Sequence, residues 1–373
     1  MDFSFSEEQE AVRDLAKQIL EGQVTHERLK ELEAGDERFD RKVWQELANA
    51  GLLGIALPES VGGAGQSFLA AALLLEQVGR TVAPVPVLAT VVMGAMPIAE
   101  FGTDEQRQRY LPGVASGATV LTAALTEFGA DPLHPVTTAQ AAGDGWRLDG
   151  VKEEVAAGLV ADAMLVPAST ADGRVGLFIV DPKASGVTIE RQDTTSGIPE
   201  ARMTLSGVTV GAGDVLGDVG DGASILEWIV ERTTAGLCAT AVGICEEALR
   251  MTAEYTKGRE QFERAIATFQ AVGQRAADAY IDTEAIRLTA WQAVWRLDAG
   301  LPATAEVAVA KFWASEGGQR VVHAAQHLHG GMGVDRDYPL HRYFLWAKQI
   351  ELTLGSETPQ LRKLGAMLAA EPA

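Results

Sequence analysis

The run from Gly222 to Tyr255, GASILEWIVERTTAGLCATAVGICEEALRMTAEY, decides how the rest of the chain is read. Apolar residues recur at three- and four-residue steps: Ile225, Trp228, Ile229, Leu237, Ala241, Ile244, Ala248 and Met251. That period predicts one long helix. Ala235, Gly236, Ala239 and Gly243 fill the intervening positions. A glycine inside a helix costs about 1 kcal/mol against alanine, so Gly236 and Gly243 predict close packing or a ligand. Glu231 stands one turn after Trp228 and one turn before Ala235, and should lean toward the tryptophan. On periodicity alone, a glutamate there is more often a solvated surface group, because glutamate is seldom buried.

Working outward, the whole chain has 373 residues, of which 47% are hydrophobic and 22% charged. That is core enough for two or three globular domains. No apolar run reaches the length of a membrane span. The acidic opening MDFSFSEEQE is unlike a secretory or organellar leader, which predicts a cytoplasmic protein. Cys238 and Cys245 lie two turns apart on the same helix, too far to bridge, and are expected to be core thiols of a reducing compartment. A net charge of −20 argues against nucleic acid as a partner. It also makes any anionic ligand depend on local basic residues.

Residues 1–118 read as helical. Ser6 with Gln9 forms a capping box ahead of Val12, Leu15 and Ile19. A second helix is expected from Arg41 to Ala50, then a Gly/Pro-rich loop, ALPESVGGAGQS, then an apolar helix from Phe68 to Gly79. After the Pro84 and Pro86 interruption another helix follows, and a short amphipathic one spans Asp104 to Leu111, before Pro112. Residues 119–220 change texture. VLTAAL, WRLDG, DAMLVPAST, VGLFIVD, VTIERQ and MTLSGVTV are short β-prone runs with turn residues between them, which predicts an antiparallel β domain. Residues 221–373 return to helices, over 222–255, 261–299, 303–329 and 340–370, which predicts a four-helix bundle.

Four stretches could carry chemistry. In ALTEFGADP, Thr126 followed by a glycine turn offers a hydroxyl and backbone N–H groups to an anion or a ring edge, although a plain turn would look the same. Arg259 in REQF and Gln270 in FQ are a cation and an amide suited to a phosphate or nucleotide, although in isolation a surface arginine and a helix glutamine are the commoner reading. In QHLHGGMG, the glycines at 330, 331 and 333 exceed what a helix cap needs and can present N–H groups to a ligand. His327 and His329 diverge on a helix, and no cysteine or carboxylate cluster accompanies them, so a metal centre is not expected. Finally, Ser356 can cap the last helix.

These stretches, in a helical–β–helical order covering essentially the whole chain, resemble the acyl-CoA dehydrogenase family. LPESVGGAG is similar to the family's Pro-Glu-x-x-Gly-Gly-x-Gly loop, LTEFGAD to its Thr-Glu-Pro-Gly-Ala-Gly-Ser flavin loop, and WRLDGVKEEV to the strand that leads to Trp-Ile-Thr. RxxF with FQAV, and QHLHGGMG, resemble two further family motifs. The resemblance implies an α+β fold and FAD as cofactor. Leu125 and Thr126 would meet the flavin, and Ser356 would lie on the cofactor too. Arg259, Phe262 and Gln270 would reach the FAD of a neighbouring subunit, with His327, Gly330 and Gly331 on its adenosine-diphosphate part. Such a shared cofactor implies a homotetramer, or a heterotetramer with a related subunit.

Two departures from the family pattern matter. Many members carry a catalytic glutamate in Tyr-Glu-Gly-Thr, where this chain reads Thr353-Leu354-Gly355-Ser356. A minority carry it on the bundle helix immediately before an arginine, the place of Glu231-Arg232 here. Glu231 thus becomes the candidate base, with Trp228 and Ala235 as an apolar wall expected to strengthen it. Arg232 and Leu354 would contact the acyl-CoA, the latter through its backbone N–H to the thioester oxygen. The flavin-stacking Trp-Ile-Thr reads Glu154-Val155-Ala156, and Pro132 replaces the serine of the flavin loop. The implied reaction is α,β-dehydrogenation of an acyl-CoA in lipid β-oxidation, with an electron-transferring flavoprotein as acceptor. The alternatives are a non-catalytic subunit that completes a partner's FAD site, and a flavin oxidase or monooxygenase on the same fold.

Overall fold

The computed structural model describes residues 4–370. The helices are α1 (Glu7–Gln23), α2 (His26–Ala34), α3 (Arg41–Asn49), α4 (Phe68–Thr81), α5 (Met96–Phe101) and α6 (Asp104–Ala115), then, beyond the β region, α7 (Gly222–Gly258), α8 (Gln270–Asp298), α9 (Thr304–Phe312), α10 (Gly318–His329), α11 (Leu340–Leu352) and α12 (Glu357–Ala370). The capping box at Ser6 and Gln9 is present, with Ser6 Oγ accepting from the Gln9 N–H at 3.2 Å and Gln9 Oε1 from the Ser6 N–H at 3.0 Å. The helix expected to stop before Pro112 runs on to Ala115, because Pro112 forfeits its own donor while its carbonyl still accepts from the Ser116 N–H at 3.1 Å. π-helical segments precede α5 (Leu88–Ala95) and α10 (Trp313–Gly317).

The strands are β1 (Leu121–Ala123), β2 (Thr138–Ala142), β3 (Gly145–Ala156), β4 (Ala163–Thr170), β5 (Val175–Val180), β6 (Val187–Gln192), β7 (Glu200–Val210) and β8 (Val215–Leu216). They form one eight-stranded sheet in the order β6-β7-β3-β2-β4-β5-β8, with β1 also on β4. Most pairings are antiparallel, as the turn spacing predicts, but β1 and β2 both run parallel to β4, so the sheet is mixed. Leu121–Ala123 pair with 163–165, and Thr138 and Ala139 with 169 and 170. β1 and β2 therefore lie one after the other along β4, and residues 124–137 are an excursion between them. Alternating sequence texture cannot show that geometry, because the period of two is the same in parallel and antiparallel strands.

The chain forms two compact units. One comprises Leu32–Ala71 and Pro84–Thr233 and contains the sheet. The other comprises Met1–Glu31, Ala72–Ala83 and Thr234–Ala373 and is helical. The long helix expected over 222–255 is present as α7, and its residues from Thr234 onward belong to the helical unit. There α4 and α7 approach backbone to backbone. A β-carbon at Gly79 would lie 2.0 Å from the Thr240 oxygen, and one at Gly243 would lie 1.9 Å from the Glu76 oxygen. Packing, not a ligand, accounts for Gly243. Charges surround the crossing: Arg80 pairs with Glu76 at 3.8 Å and with Glu246, and Arg287 of α8 stands 3.6 Å from Glu246. Burial raises the Glu76 carboxyl above its usual value, against the lowering by Arg287.

The predicted helix over 340–370 is broken into α11 and α12 by a turn at residues 353–356, where Leu354 has φ 57° and Gly355 φ 91°.

Gly243→Ala should destabilise the protein by about 1–3 kcal/mol despite alanine's better helix propensity, since the contact is with backbone. Gly365→Ala in α12, where nothing lies within 4 Å, should instead stabilise it by about 0.5–1 kcal/mol. Urea denaturation of the two variants checks the opposite signs.

Candidate functional site

The 124–137 excursion is held by a buried ion pair. Lys152 of β3 is fully buried, and its Nζ donates to Glu127 Oε1 at 2.6 Å and to the Pro167 carbonyl at 2.8 Å. Glu127 Oε1 also accepts from the Thr137 N–H at 3.0 Å and the Thr137 hydroxyl at 2.5 Å, and Oε2 from the Val136 N–H at 2.5 Å. One carboxylate thereby joins the start of the excursion to its end. Burial alone would raise Glu127, but Lys152 and these hydrogen bonds hold it below its ordinary value. Burial, opposed by Glu127, pushes Lys152 down to about 8. Beside the clamp, Thr126 is half-buried, and its carbonyl accepts from the Glu153 N–H at 2.9 Å. Among the described residues nothing bonds the Thr126 hydroxyl, and Leu125 is buried. Phe128, at the outer end of the loop, is 95% exposed.

Glu154 lies within the register shift between Lys152 and Val155, and Ala156 ends β3 beyond it. Glu154 is exposed, with φ 53°, and its N–H donates to Gln192 Oε1 at 2.8 Å. No aromatic ring stands in the place where the family stacks one on the flavin. Pro132 lies in the excursion itself.

On α7, Glu231 and Arg232 are both half-buried. The apolar wall expected at Trp228 is altered. The Arg232 guanidinium lies 3.8 Å over the indole, so one face of the ring carries a cation, and Phe101 meets the ring edge-on at 5.3 Å.

In the helical unit, a hairpin of β9 (Glu260–Gln261) and β10 (Arg264–Ala265) follows Arg259. The Arg259 carbonyl accepts from the Ile266 N–H at 2.8 Å, which brings Arg259, Phe262 and Gln270 into one short region. All three are exposed, and Phe262, with φ 54°, is 88% exposed and meets Phe269 in a T-shaped contact. Where α10 ends, His327, Gly330 and Gly331 are exposed, with Gly330 at φ 59°. Gly333 is buried, and a β-carbon there would lie 2.6 Å from the Gln326 oxygen, so its role is packing. His329 points inward as His327 points out. Its Nδ1–H donates to the Ala325 carbonyl at 2.8 Å, which leaves Nε2 to accept from the Tyr338 hydroxyl at 3.2 Å, and its ring stacks on Tyr255 at 4.3 Å. No group of metal-ligating side chains occurs among the described residues.

Leu354 is half-buried in the α11–α12 turn, and Gln360 Nε2 donates to the Leu354 carbonyl at 3.2 Å. Ser356 directly precedes α12, and its hydroxyl bonds Glu357. Lys311 reaches the last turn of α11 from α9. It is fully buried, and its Nζ donates to the Ile350 carbonyl at 2.6 Å, the Glu351 carbonyl at 3.0 Å and Ser315 Oγ at 3.1 Å. Burial pushes it down to about 8.

Sequence reasoning missed Glu127, Lys152 and Lys311, whereas the expected divergence of His327 and His329 is present. Lys311 leaves a trace, as the lone charge in VAVAKFWA. Lys152 leaves none: it shares the inward side of β3 with Leu148, since the extra residue of the shift at Leu148/Asp149 is Gly207 on β7, but a lysine in a strand is ordinarily read as facing water.

The residues fit FAD unevenly. Arg259, Gln270 and the open glycines 330 and 331, with nothing within 4 Å of a β-carbon, are suited to a neighbour's nucleotide. The unbonded Thr126 hydroxyl suits a ring edge, whereas Glu154 does not suit a ring face. A cavity of about 540 Å³ lies elsewhere, lined in part by Arg38, Arg191 and Asp193, and contains none of the predicted residues.

The chain matches the families described as acyl-CoA dehydrogenase, N-terminal domain, over residues 6–118, and acyl-CoA dehydrogenase, C-terminal domain, over residues 220–369. It is 41% identical to acyl-CoA dehydrogenase FadE27 of Mycobacterium tuberculosis over all of both chains. Among solved structures, it is 42% identical to a chain of the ChsE4–ChsE5 complex from Mycobacterium tuberculosis, with a TM-score of 0.95 over 100% of both chains. It is 47% identical to a chain of a Tcur3481–Tcur3483 steroid ACAD, with a TM-score of 0.92 over 97% of this chain and 98% of that one. It is also 30% identical to caffeyl-CoA reductase–Etf complex subunit CarC of Acetobacterium woodii, over 98% of this chain and 99% of that one.

Glu127→Gln should cost about 3–5 kcal/mol by leaving Lys152 buried without its counter-charge, and Glu127→Gln with Lys152→Met should recover most of it. Because the folded Glu127 value lies below the unfolded one, its contribution is complete above pH 4.5 and fades as pH falls through the folded value. Denaturant titrations from pH 7 down to 3 should show a shallower acid loss in the double variant.

Proposed function

Because this chain belongs to the acyl-CoA dehydrogenase family, we propose that it works as a subunit of an FAD-dependent acyl-CoA dehydrogenase in which Glu231 takes the substrate's α-proton. The family's reaction is the FAD-dependent dehydrogenation of an acyl-CoA. The observation that carries the Glu231 assignment is a pairing of absence and presence. The α11–α12 turn offers Leu354 and no carboxylate, whereas α7 offers a half-buried glutamate followed by arginine.

Removing a proton beside a thioester requires a base at the α-carbon and donors at the oxygen where enolate charge develops. Glu231 is the proposed base and the Leu354 N–H a proposed donor. A bound flavin supplies the hydride acceptor. Arg232, stacked on Trp228, places a fixed positive charge next to Glu231 in sequence and favours anionic ligand groups there. The 47% identity to a protein named a steroid ACAD supports a bulky, steroid-type acyl group. The likeness to an Etf-complex subunit supports an electron-transferring flavoprotein as acceptor.

A second reading rests on Glu154, a charged residue at positive φ where the family places the ring-stacking aromatic. In it the chain forgoes catalysis and lends Arg259, Phe262, Gln270, His327, Gly330 and Gly331 to the FAD of an unlike subunit. The likeness to a chain of a ChsE4–ChsE5 complex supports an assembly of that kind.

Glu231→Gln should lower kcat by about 10²–10⁴-fold and leave acyl-CoA affinity within about threefold. Stopped-flow reduction with a steroid-type acyl-CoA, with butyryl-CoA as comparison, reads both. Turnover near the wild-type rate in that variant removes Glu231 as the base.

A further inference from the structure

In a continuing α-helix the carbonyls of residues 350 and 351 would accept from the N–H groups of residues 354 and 355. Here both carbonyls are taken by Lys311, at 2.6 and 3.0 Å. The Gly355 N–H turns instead to the Leu352 carbonyl at 3.3 Å. The Thr353 N–H still makes its helical bond, to Gln349 at 3.0 Å, and is the last to do so. Among the described residues nothing accepts from the Leu354 N–H. The turn is held from its other side by Gln360, whose Nε2 donates to the carbonyls of Leu354 at 3.2 Å and Gly355 at 3.4 Å. Leu354 itself has φ 57°, a conformation costly for a residue with a branched side chain and maintained only when its surroundings enforce it.

We propose that Lys311 is a positioning residue: by capping α11 from inside, its ammonium ends the helix at Leu352, two residues before Leu354, and leaves the Leu354 N–H free for the acyl-CoA thioester oxygen. The inference rests on the reading of Leu354 as a substrate donor. Lys311 touches no substrate. It donates to Ser315 Oγ as well, so all three of its donors are used and its place is fixed by hydrogen bonds alone. A cation at a helix C-terminus also agrees with the helix dipole, so the cap is favourable where it stands. A purely structural buried lysine would stabilise the bundle equally for every ligand. A positioning lysine acts only on ligands that have an oxygen for Leu354 to meet.

The test uses the full-length protein with its flavin and any co-purifying subunit, and two ligands. One is but-2-enoyl-CoA, a thioester that undergoes no further dehydrogenation. The other is its but-2-enyl thioether, which lacks the carbonyl. Amide hydrogen exchange is followed at Thr353, Leu354 and Gly355, and Kd is measured for both ligands in wild type and Lys311→Met. In ligand-free wild type, Leu354 should exchange at least tenfold faster than Thr353; equal protection overturns the proposal without any variant. The thioester, but not the thioether, should slow Leu354 in wild type; if neither does, the substrate reading of Leu354 fails and the inference with it. Lys311→Met should weaken the thioester by about 10–100-fold, leave the thioether within about twofold, and abolish the ligand-dependent slowing at Leu354. If the variant keeps that slowing, or weakens both ligands equally, the Leu354 reading stands and Lys311 has no positioning role. Should Lys311→Met not fold, Ser315→Ala, which removes one anchor of the ammonium, takes its place: weakening of the thioester alone supports the positioning role, and equal weakening of both ligands or of neither overturns it.

Discussion

An ammonium group taken out of water must find acceptors inside the protein, and the chain must bend to provide them. Lys152 and Lys311 are both fully buried, the first answered by the Glu127 carboxylate and a β4 carbonyl, the second by two carbonyls of the last turn of α11. Lys152 draws in Glu127, which in turn gathers the N–H groups of Val136 and Thr137 and closes the excursion between β1 and β2. Lys311 draws in the carbonyls of Ile350 and Glu351 and stops α11. The first places Thr126 and the second places Leu354. Those are the residues that, from the family resemblance, would meet the flavin and the thioester. The polar interior of each unit thus serves as scaffolding for a surface loop.

The helical unit depends on a different constraint. Two helices can touch backbone to backbone where one of them lacks a β-carbon, and α4 and α7 do so twice, Gly79 against the Thr240 carbonyl and Gly243 against the Glu76 carbonyl. That contact brings Glu76, Arg80 and Glu246 together, and Arg287 joins them. The result is a rigid support for the second half of α7. Cys238 and Cys245 lie fully buried on the same stretch of helix, and burial pushes each thiol up to about 12, so they behave as small apolar side chains.

Most of this architecture is legible in the sequence because it is periodic. The long helix, the capping box at Ser6 and the β-rich middle follow from spacing alone. The exceptions share one physical origin, which is that local pattern carries no information about a distant partner. The parallel pairing of β1 and β2 with β4 looks like any other short strand pair. The break of the last helix at 353–356 follows from Lys311, some forty residues earlier in the chain. Lys152 stays hidden because its counter-charge, Glu127, lies 25 residues away in the chain. Arg259, Gln270, Gly330 and Gly331 attract notice by residue type, but only the family resemblance assigns them to a cofactor, since a surface arginine and a helix glutamine have plainer uses. The divergence of His327 and His329 follows from helix geometry, whereas the partners of His329, Tyr255 and Tyr338, do not.

No helix among the described residues is long and apolar enough to cross a membrane. What Glu154 and Ala156 do to the chain's own flavin is the point on which catalytic subunit and lending partner separate. The most direct measurement is the visible spectrum of the chain purified alone and co-expressed with an unlike homologous subunit, before and after anaerobic addition of a saturated acyl-CoA. The account predicts a yellow protein whose flavin absorbance is lost on that addition. A protein that is colourless in every pairing, or whose colour is indifferent to acyl-CoA, would contradict it.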